Sequence, residues 1–187
     1  MSKSPQGAPS VNLLAVDTAT EGCSAACLAG DKSFERYAVD PQGHSRTLLG
    51  MVEAVLAEAR LERSALDALA YDAGPGSFTG IRIGAGVAQG LALGLEKPLL
   101  AVSSLMTLAE GARREQPGCN SVLAAIDARM DQVYWARLRS DPEAPGHWRW
   151  DEMPCVSEPR EVAVHISGCT GVGSGWDRYS DVFMGDR

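Results

Sequence analysis

The apolar residues follow two different spacings that alternate along the chain. Short continuous or alternating apolar runs predict strands at 11–16, 23–28, 32–39, 66–71 and 99–102. Apolar residues spaced three and four apart predict helices at 45–60, 81–95 and 103–114, and Ser45 is the expected N-cap of the first helix. Three successive strands followed by alternating helices and strands indicate an α/β protein.

The pattern repeats, less regularly, after the Pro117-Gly118 pair, where a second unit begins in this interpretation. Further strands are predicted at 121–126, 132–139 and 162–166. An apolar strand that ends at an aspartate and is followed by a second strand occurs near 11–28 and again near 121–139, which indicates an internal duplication. The predicted organisation is a disordered leader over 1–10, a first lobe over 11–115 and a smaller second lobe over 116–187.

Composition narrows the classes of function. The 187 residues carry 17 Lys and Arg against 24 Asp and Glu, a net charge of −7, which argues against direct binding of nucleic acid. No stretch approaches the roughly 20 apolar residues of a membrane span. Five cysteines without a C-x-x-C pair indicate reduced thiols, and we expect a cytoplasmic protein without a membrane partner.

The sequence GPGSFTG at 74–80, between a predicted strand and a predicted helix, is the most distinctive local feature. Glycines allow close backbone approach, and free N–H groups at a helix start favour anions. The lysine of a P-loop is absent, however, because Ile81 and Arg82 follow Gly80. A tight turn and a ligand-binding loop are both open for this segment.

Two aspartates, Asp17 and Asp127, each follow an apolar strand. Such a carboxylate either holds a metal or a phosphate-bound water at the end of a strand, or bonds backbone amides in a turn. Both interpretations stay open for Asp17, whereas Asp127 is interpreted as a turn residue. No residue has the surroundings of an activated nucleophile or general base, and no histidine has metal-ligand spacing.

The predicted helix at 81–95 keeps four glycines, Gly84, Gly86, Gly90 and Gly94. Each interior glycine costs a helix roughly 0.5–1 kcal/mol against alanine. The expected compensation is the close approach of another helix, from residues 45–60 or from a second chain.

Several motifs together resemble the TsaB (YeaZ) family. They are DTAT at 17–20, HSR at 44–46, GPGSFTGIRIG at 74–84, VSSL at 102–105, DARM at 127–130 and VYW at 133–135. The resemblance implies an actin-like, sugar-kinase-like fold of two related α/β lobes. Because family members usually continue further than residue 187, it leaves open whether the second lobe is complete.

The resemblance also implies a function. TsaB is the subunit that binds and activates TsaD, which transfers a threonylcarbamoyl group to adenosine beside the anticodon of tRNA, with the ATPase TsaE as a further partner. TsaD carries a His-x-x-x-His metal pair where this chain has Ser104 and Leu108. The implied protein is therefore not an enzyme, has no metal and meets tRNA only through the complex. The alternative is a nucleotide-hydrolysing or phosphotransfer enzyme of the actin-like ATPase class.

The two leading helices of the first lobe form the family's dimer interface, which serves both self-association and TsaD. Carried onto this sequence, the expected interface residues are Met51, Val52, Val55, Arg82, Gly86, Gln89 and Gly90. The expected nucleotide-binding residues are Asp17, Thr18 and Gly76. No cofactor of the chain's own is expected, although the resemblance leaves room for ATP or ADP at the junction with the partner.

Overall fold

The computed structural model describes residues 11–40, 43–141, 143–162 and 165–185, and it divides into two units. The first unit runs to Ala73 and includes Ser77–Ala101, and the second unit comprises Gly74–Gly76 and the chain from Val102. The predicted leader at 1–10 lies outside the described residues.

The first unit is a five-stranded sheet with two long helices. Its elements are β1 (Asn12–Asp17), β2 (Gly22–Ala29), β3 (Lys32–Val39), α1 (His44–Ala59), a 3-10 turn (Arg63–Ala65), β4 (Ala68–Asp72), α2 (Phe78–Leu95) and β5 (Leu99–Val102). The strand order is β3-β2-β1-β4-β5, with β1 antiparallel to β2 and parallel to β4. Strands β2 and β3 form an antiparallel hairpin, in which Gly30 turns the chain with a φ of 62°.

Both helices pack on the same face of this sheet and share one core with it. Leu14 and Leu69 from the strands meet Leu48 of α1 and Ala88 of α2, and all four side chains are buried. Full burial of an aliphatic side chain of leucine size contributes about 1.5–3 kcal/mol. The helix pair is therefore fixed to the sheet by its inner sides, which leaves its outer sides available.

The second unit repeats this arrangement. Its elements are α3 (Ser104–Glu115), β6 (Ser121–Arg129), β7 (Gln132–Asp141), β8 (Ala144–Ser157), α4 (Pro159–Val162), β9 (Thr170–Val172) and α5 (Ser174–Met184). The strand order is β8-β7-β6-β9, with β6 antiparallel to β7 and parallel to β9, as β1 is to β2 and β4. The predicted duplication and the predicted α/β fold of two related lobes are thus confirmed.

Three sequence-based expectations about the elements are wrong. The lobe boundary predicted after residue 115 lies too late, because α3 packs against the second sheet, with Leu105 in the same core as Val122. Of the strand predicted at 162–166, Val162 instead ends helix α4 and residues 163–164 lie outside the described residues. Strand β9 lies in the glycine-rich segment that follows. Ser45 does not cap α1, since the helix begins one residue earlier, after Gly43.

Helix α2 bears on the expectation that no segment approaches a membrane span. Among the described residues, α2 is the one helix that is long enough and apolar enough to cross a membrane, judged by length and composition alone. A helix that packs against protein can meet the same limit, so this finding assigns no membrane location.

Glu110 joins α3 to the second sheet through charged hydrogen bonds. Its carboxylate accepts from the Arg113 guanidinium at 2.6 and 2.8 Å, from Arg114 at 2.9 Å and from the Trp148 indole of β8 at 3.2 Å. These donors, Arg113 first, lower the pKa of Glu110 from 4.5 to about 2.

Glu110→Gln is expected to reduce the free energy of unfolding by about 1–2 kcal/mol at pH 7, because the charged acceptor is lost. A lowered pKa stabilises the fold above pH 4.5, and this contribution disappears as the pH falls through about 2. Urea denaturation at several pH values should therefore show the deficit of the variant shrinking below pH 4.5. Glu115→Gln, on the exposed end of the same helix, is the matched control. Equal deficits in both variants would contradict the assigned role.

Candidate functional site

The turn between β1 and β2, Asp17 to Glu21, supports the starts of both long helices. The Ser77 N–H donates to the carbonyl of Ala19 at 2.6 Å, and the Thr18 hydroxyl donates to the carbonyl of Gly80 at 2.7 Å. At the start of α1, His44 Nε2 lies 3.4 Å from the carbonyl of Glu21. The β1–β2 turn is thus hydrogen-bonded to the first turn of α2 and contacts the start of α1.

Two glycines of α2 are needed because the β1–β2 turn lies so close to the helix. A Cβ at Gly80 would lie 1.9 Å from the backbone carbonyl oxygen of Thr18, and a Cβ at Gly84 would lie 2.7 Å from the Thr18 hydroxyl. Both glycines are buried. They let the first turns of the helix approach the sheet closely, so their role is internal to the first unit.

The other three glycines of α2 have no such neighbour. A Cβ at Gly86, Gly90 or Gly94 would meet no atom within 4 Å. The exposed positions at helical spacing around them form one face, which we call the α2 stripe: Arg82, Gly86, Gln89, Gly90 and Leu93. Leu93 is 82% exposed. A smooth face with an exposed leucine at one end is typical of a surface that another helix or sheet covers.

At the start of α2, Arg82 is held in place by its own helix. Its guanidinium lies 3.2 Å from the ring centroid of Phe78 and donates to the Phe78 carbonyl at 3.1 Å. The ring itself is 73% exposed. This cation–π pair places a charge and an aromatic surface beside the glycines.

The expected contribution of α1 needs correction. Val52 and Val55 are 1% and 0% exposed and lie in the core, so they are wrong as partner anchors. Met51 is half-buried against the same core. The outer side of α1 instead presents Leu49, which is 49% exposed, and Gly50, around which a Cβ would find open space.

Two carboxyl groups meet where the parallel strands β1 and β4 end. Val16 pairs with Tyr71, so the next residues, Asp17 and Asp72, are neighbours, and their side chains share a hydrogen bond. The Ala19 N–H also donates to Asp17 Oδ1 at 2.8 Å. Burial raises the pKa of Asp17 above its ordinary value, although both hydrogen bonds and the nearby His44 oppose this. A hydrogen bond between two carboxyl groups needs a proton on one of them.

The remaining predicted site residues lie as follows. Thr18 is buried with its hydroxyl committed to Gly80, and Gly76 belongs to the second unit. Asp127 accepts from the Arg129 N–H at 3.0 Å and pairs with Arg178 at 2.9 Å, which confirms it as a turn residue. Within the described part of the chain, no cluster of three His, Cys, Asp or Glu side chains could hold a metal ion.

Comparison with known proteins identifies relatives over nearly the whole chain. The family described as "TsaD: tRNA N6-adenosine threonylcarbamoyltransferase" matches residues 39–144. The tRNA threonylcarbamoyladenosine biosynthesis protein TsaB of Escherichia coli is 43% identical over 176 residues, which are 92% of this chain and 75% of that protein. The protein of the same name in Haemophilus influenzae is 38% identical over 177 residues, 91% of this chain and 75% of that one. YeaZ from Pseudomonas aeruginosa, at 45% identity, superposes with a TM-score of 0.84 over 95% of this chain and 81% of its own.

The chain belongs to the TsaB family. The family takes part in the biosynthesis of threonylcarbamoyladenosine in tRNA, and the resemblance drawn from the motifs is thereby confirmed. The two positions at which the resemblance places the TsaD histidines, Ser104 and Leu108, lie on α3 of the second unit, where Ser104 is buried.

Sequence reasoning missed the outward residues Leu49 and Leu93. For Leu49, the helical periodicity carried the information. Leu48, Val52 and Val55 define the inner side of α1, and Leu49 does not lie on that side. In this TsaB chain, four predicted interface residues remain on the surface: Arg82, Gly86, Gln89 and Gly90.

Proposed function

We propose that the chain is the non-catalytic subunit that binds and activates TsaD in threonylcarbamoyl transfer to adenosine beside the anticodon of tRNA. It docks through the α2 stripe, with the outer side of α1 beside it. The observation that carries this proposal is that the stripe is poor in side chains and uncovered although the helix bearing it is otherwise apolar.

The stability of the isolated chain gives no reason for the three exposed glycines of α2, two of which lie in the stripe. Gly86, Gly90 and Gly94 together cost the helix about 1.5–3 kcal/mol relative to alanine. No internal contact offsets this, because none of the three has a neighbour within 4 Å of the missing Cβ. A partner backbone that approaches where these side chains are absent would offset the cost on binding.

The identity of two residues on α3 supports the absence of catalysis. Ser104 and Leu108 offer a hydroxyl and an aliphatic group where the resemblance places two metal-binding imidazoles. The proposal therefore leaves the chemistry to TsaD and gives this chain a binding role.

Because the α2 stripe is proposed to bind both a second copy of the chain and TsaD, these two partners compete for it. The chain self-associates through the stripe as a homodimer, and TsaD displaces the second copy. TsaE joins this complex, tRNA meets the chain only through it, and ATP or ADP lies at the junction between subunits if nucleotide is bound. Titrating TsaD into the homodimer should release monomer as the TsaD complex forms, which sedimentation velocity can follow.

Reconstitution tests the activating role directly. TsaD, TsaE, ATP, a threonylcarbamoyl-adenylate source and unmodified tRNA are combined with and without this chain, and modified adenosine is quantified. We expect modification only when the chain is present. Equal modification without it would contradict the proposal.

The Asp17–Asp72 pair favours a second candidate, a nucleotide-hydrolysing enzyme, because perturbed carboxyl groups cluster at active sites. The purified chain is incubated with ATP and magnesium, with Asp17→Ala as the control variant. Turnover that Asp17→Ala abolishes would favour the enzyme, and no turnover above background is expected under the first proposal.

A further inference from the structure

A cavity of about 370 Å³ opens on the second unit, lined by the β6–β7 hairpin, the start of α4 and the second half of α5. We call it the hairpin cavity. Its lining includes Met130 and Asp131 of the hairpin, Glu158 and Arg160 around the start of α4, and Tyr179 and Val182 of α5. This volume suits one long side chain or another small ligand.

The residues at the tip of the hairpin do not suit its backbone conformation. Arg129, Met130 and Asp131 have φ values of 66°, 53° and 56°, the left-handed region that hairpin turns usually fill with glycine or asparagine. Met130 is in addition 86% exposed, which is unfavourable for a large apolar side chain. Neither the turn nor the core therefore requires a methionine here, whereas a contact with a guest in the hairpin cavity would account for it.

Helix α5 is irregular at the same cavity. Tyr179 has a φ of −124° and a ψ of 21°, so it lies outside helical geometry between two helical segments. Its hydroxyl is buried and, among the described residues, has no hydrogen-bond partner. A buried hydroxyl without a partner destabilises the fold, and such groups are rare. A hydrogen-bonding guest in the cavity would supply the missing partner once the Tyr179 ring turns toward it.

The charges of the lining decide which kind of guest the cavity favours. The lining carries two carboxylates, Asp131 and Glu158, and one guanidinium, Arg160. The one ion pair of Asp131 within the described ranges is long, 3.9 Å from Arg178, and the Asp131 side chain is 89% exposed. Glu158 and Arg160 form no ion pair with any side chain in the described part of the chain. Because the net charge is negative and the carboxylates are hardly paired, the cavity favours a cation over a phosphate.

We propose that the hairpin cavity receives an arginine side chain of a partner protein. The aliphatic part of the arginine packs on Met130 and Val182, and the guanidinium donates to Asp131 and Glu158. A guanidinium carries five N–H donors in a planar fork, which suits several separate acceptors better than an ammonium does. The flexible methionine side chain adapts its shape to such a guest.

The exposure of Met130 favours a protein over a free small molecule as the source of the arginine. A free amine would leave most of this side chain in water, whereas a protein surface around the arginine covers it. This docking site goes beyond the proposed function, because it lies on the second unit and does not require the α2 stripe.

The probe for the cavity is N-acetyl-arginine amide, whose only charge is the guanidinium. N-acetyl-citrulline amide has nearly the same shape without the charge and is the matched control. Both are titrated into the full chain and followed by the NMR shifts of the backbone amides. The arginine probe is expected to shift the amides of Met130, Tyr179 and Val182, and to bind about fivefold more tightly than the citrulline probe. Glu158→Gln should remove most of this preference, whereas Glu115→Gln, exposed on α3, should keep it.

Met130→Asn separates binding from folding. Asparagine accepts the left-handed conformation more readily than methionine does, so the variant should be at least as stable in urea denaturation. It should nevertheless bind the arginine probe about threefold more weakly, because the apolar contact is lost.

Equal affinities for the arginine and citrulline probes, or shifts confined to other parts of the chain, would overturn the proposal. Inorganic phosphate that shifts the same amides would overturn it as well, because Arg160 would then govern the cavity. Tighter binding of free arginine than of the capped probe would assign the cavity to a small molecule instead of a partner protein. Each of these results leaves the proposed function intact, because the reconstitution of tRNA modification does not depend on the hairpin cavity.

Discussion

Gly90→Leu is expected to weaken binding to TsaD by at least tenfold while making the isolated chain slightly more stable. The new side chain fills the space where a partner backbone is proposed to approach, since a Cβ at Gly90 has open space within 4 Å. At the same time leucine favours the helix over glycine by about 0.5–1 kcal/mol. Opposite changes in binding and stability exclude misfolding as the cause of lost binding.

Gly111→Leu is the matched control for this prediction. Gly111 lies in α3, is exposed and likewise has no atom within 4 Å of a built Cβ. It should show the same gain in stability, by urea denaturation, with unchanged affinity for TsaD by sedimentation. Equal losses of affinity in both variants would show that the α2 stripe is not the docking surface.

Gly80→Ala is expected to cause the largest loss of stability of any single methyl addition in α2, about 3 kcal/mol or more. The added Cβ would lie 1.9 Å from the carbonyl oxygen of Thr18. That atom is backbone in the β1–β2 turn, so it cannot move aside as a flexible side chain would. The first turn of α2 would therefore have to move away from the β1–β2 turn.

Gly86→Ala, six residues further along the same helix, makes the same chemical change in open space. It should raise the free energy of unfolding by about 0.5–1 kcal/mol. Thermal and urea denaturation of the two variants give the comparison. A loss of similar size at both positions would mean that the glycines of α2 do not divide into an inner and an outer set.

The glycines of α2 illustrate what the sequence could predict. Their number and spacing were sufficient to predict a close approach on this helix, because interior glycines are costly wherever they occur. They could not say which glycine meets which neighbour. Only the fold shows that Gly80 and Gly84 meet Thr18, which is distant in sequence, and that Gly86 and Gly90 meet nothing.

The helix α1 shows a second limit. Its apolar periodicity correctly predicted a helix within one residue at each end. The same apolar residues were assigned to a partner surface, yet Val52 and Val55 are the ones that hold the helix to the sheet. Hydrophobicity alone does not separate a core contact from a partner contact, because both bury the same kind of surface.

Of the two carboxyl groups, Asp17 and Asp72, the sequence analysis identified only Asp17. Asp17 was singled out because it ends an apolar strand, whereas Asp72 ends β4, far along the chain, and was not connected with it. The parallel pairing of β1 with β4 brings the two together, and this long-range pairing has no local signal.

Mapping the surface of the chain that TsaD covers tests the central claim most directly. Hydrogen exchange is measured for the chain alone and with excess TsaD, and the peptides from the two units are compared. The account predicts that TsaD slows exchange in peptides covering α2 and the outer side of α1. Slowed exchange confined to the second unit, with α1 and α2 unchanged, would contradict it.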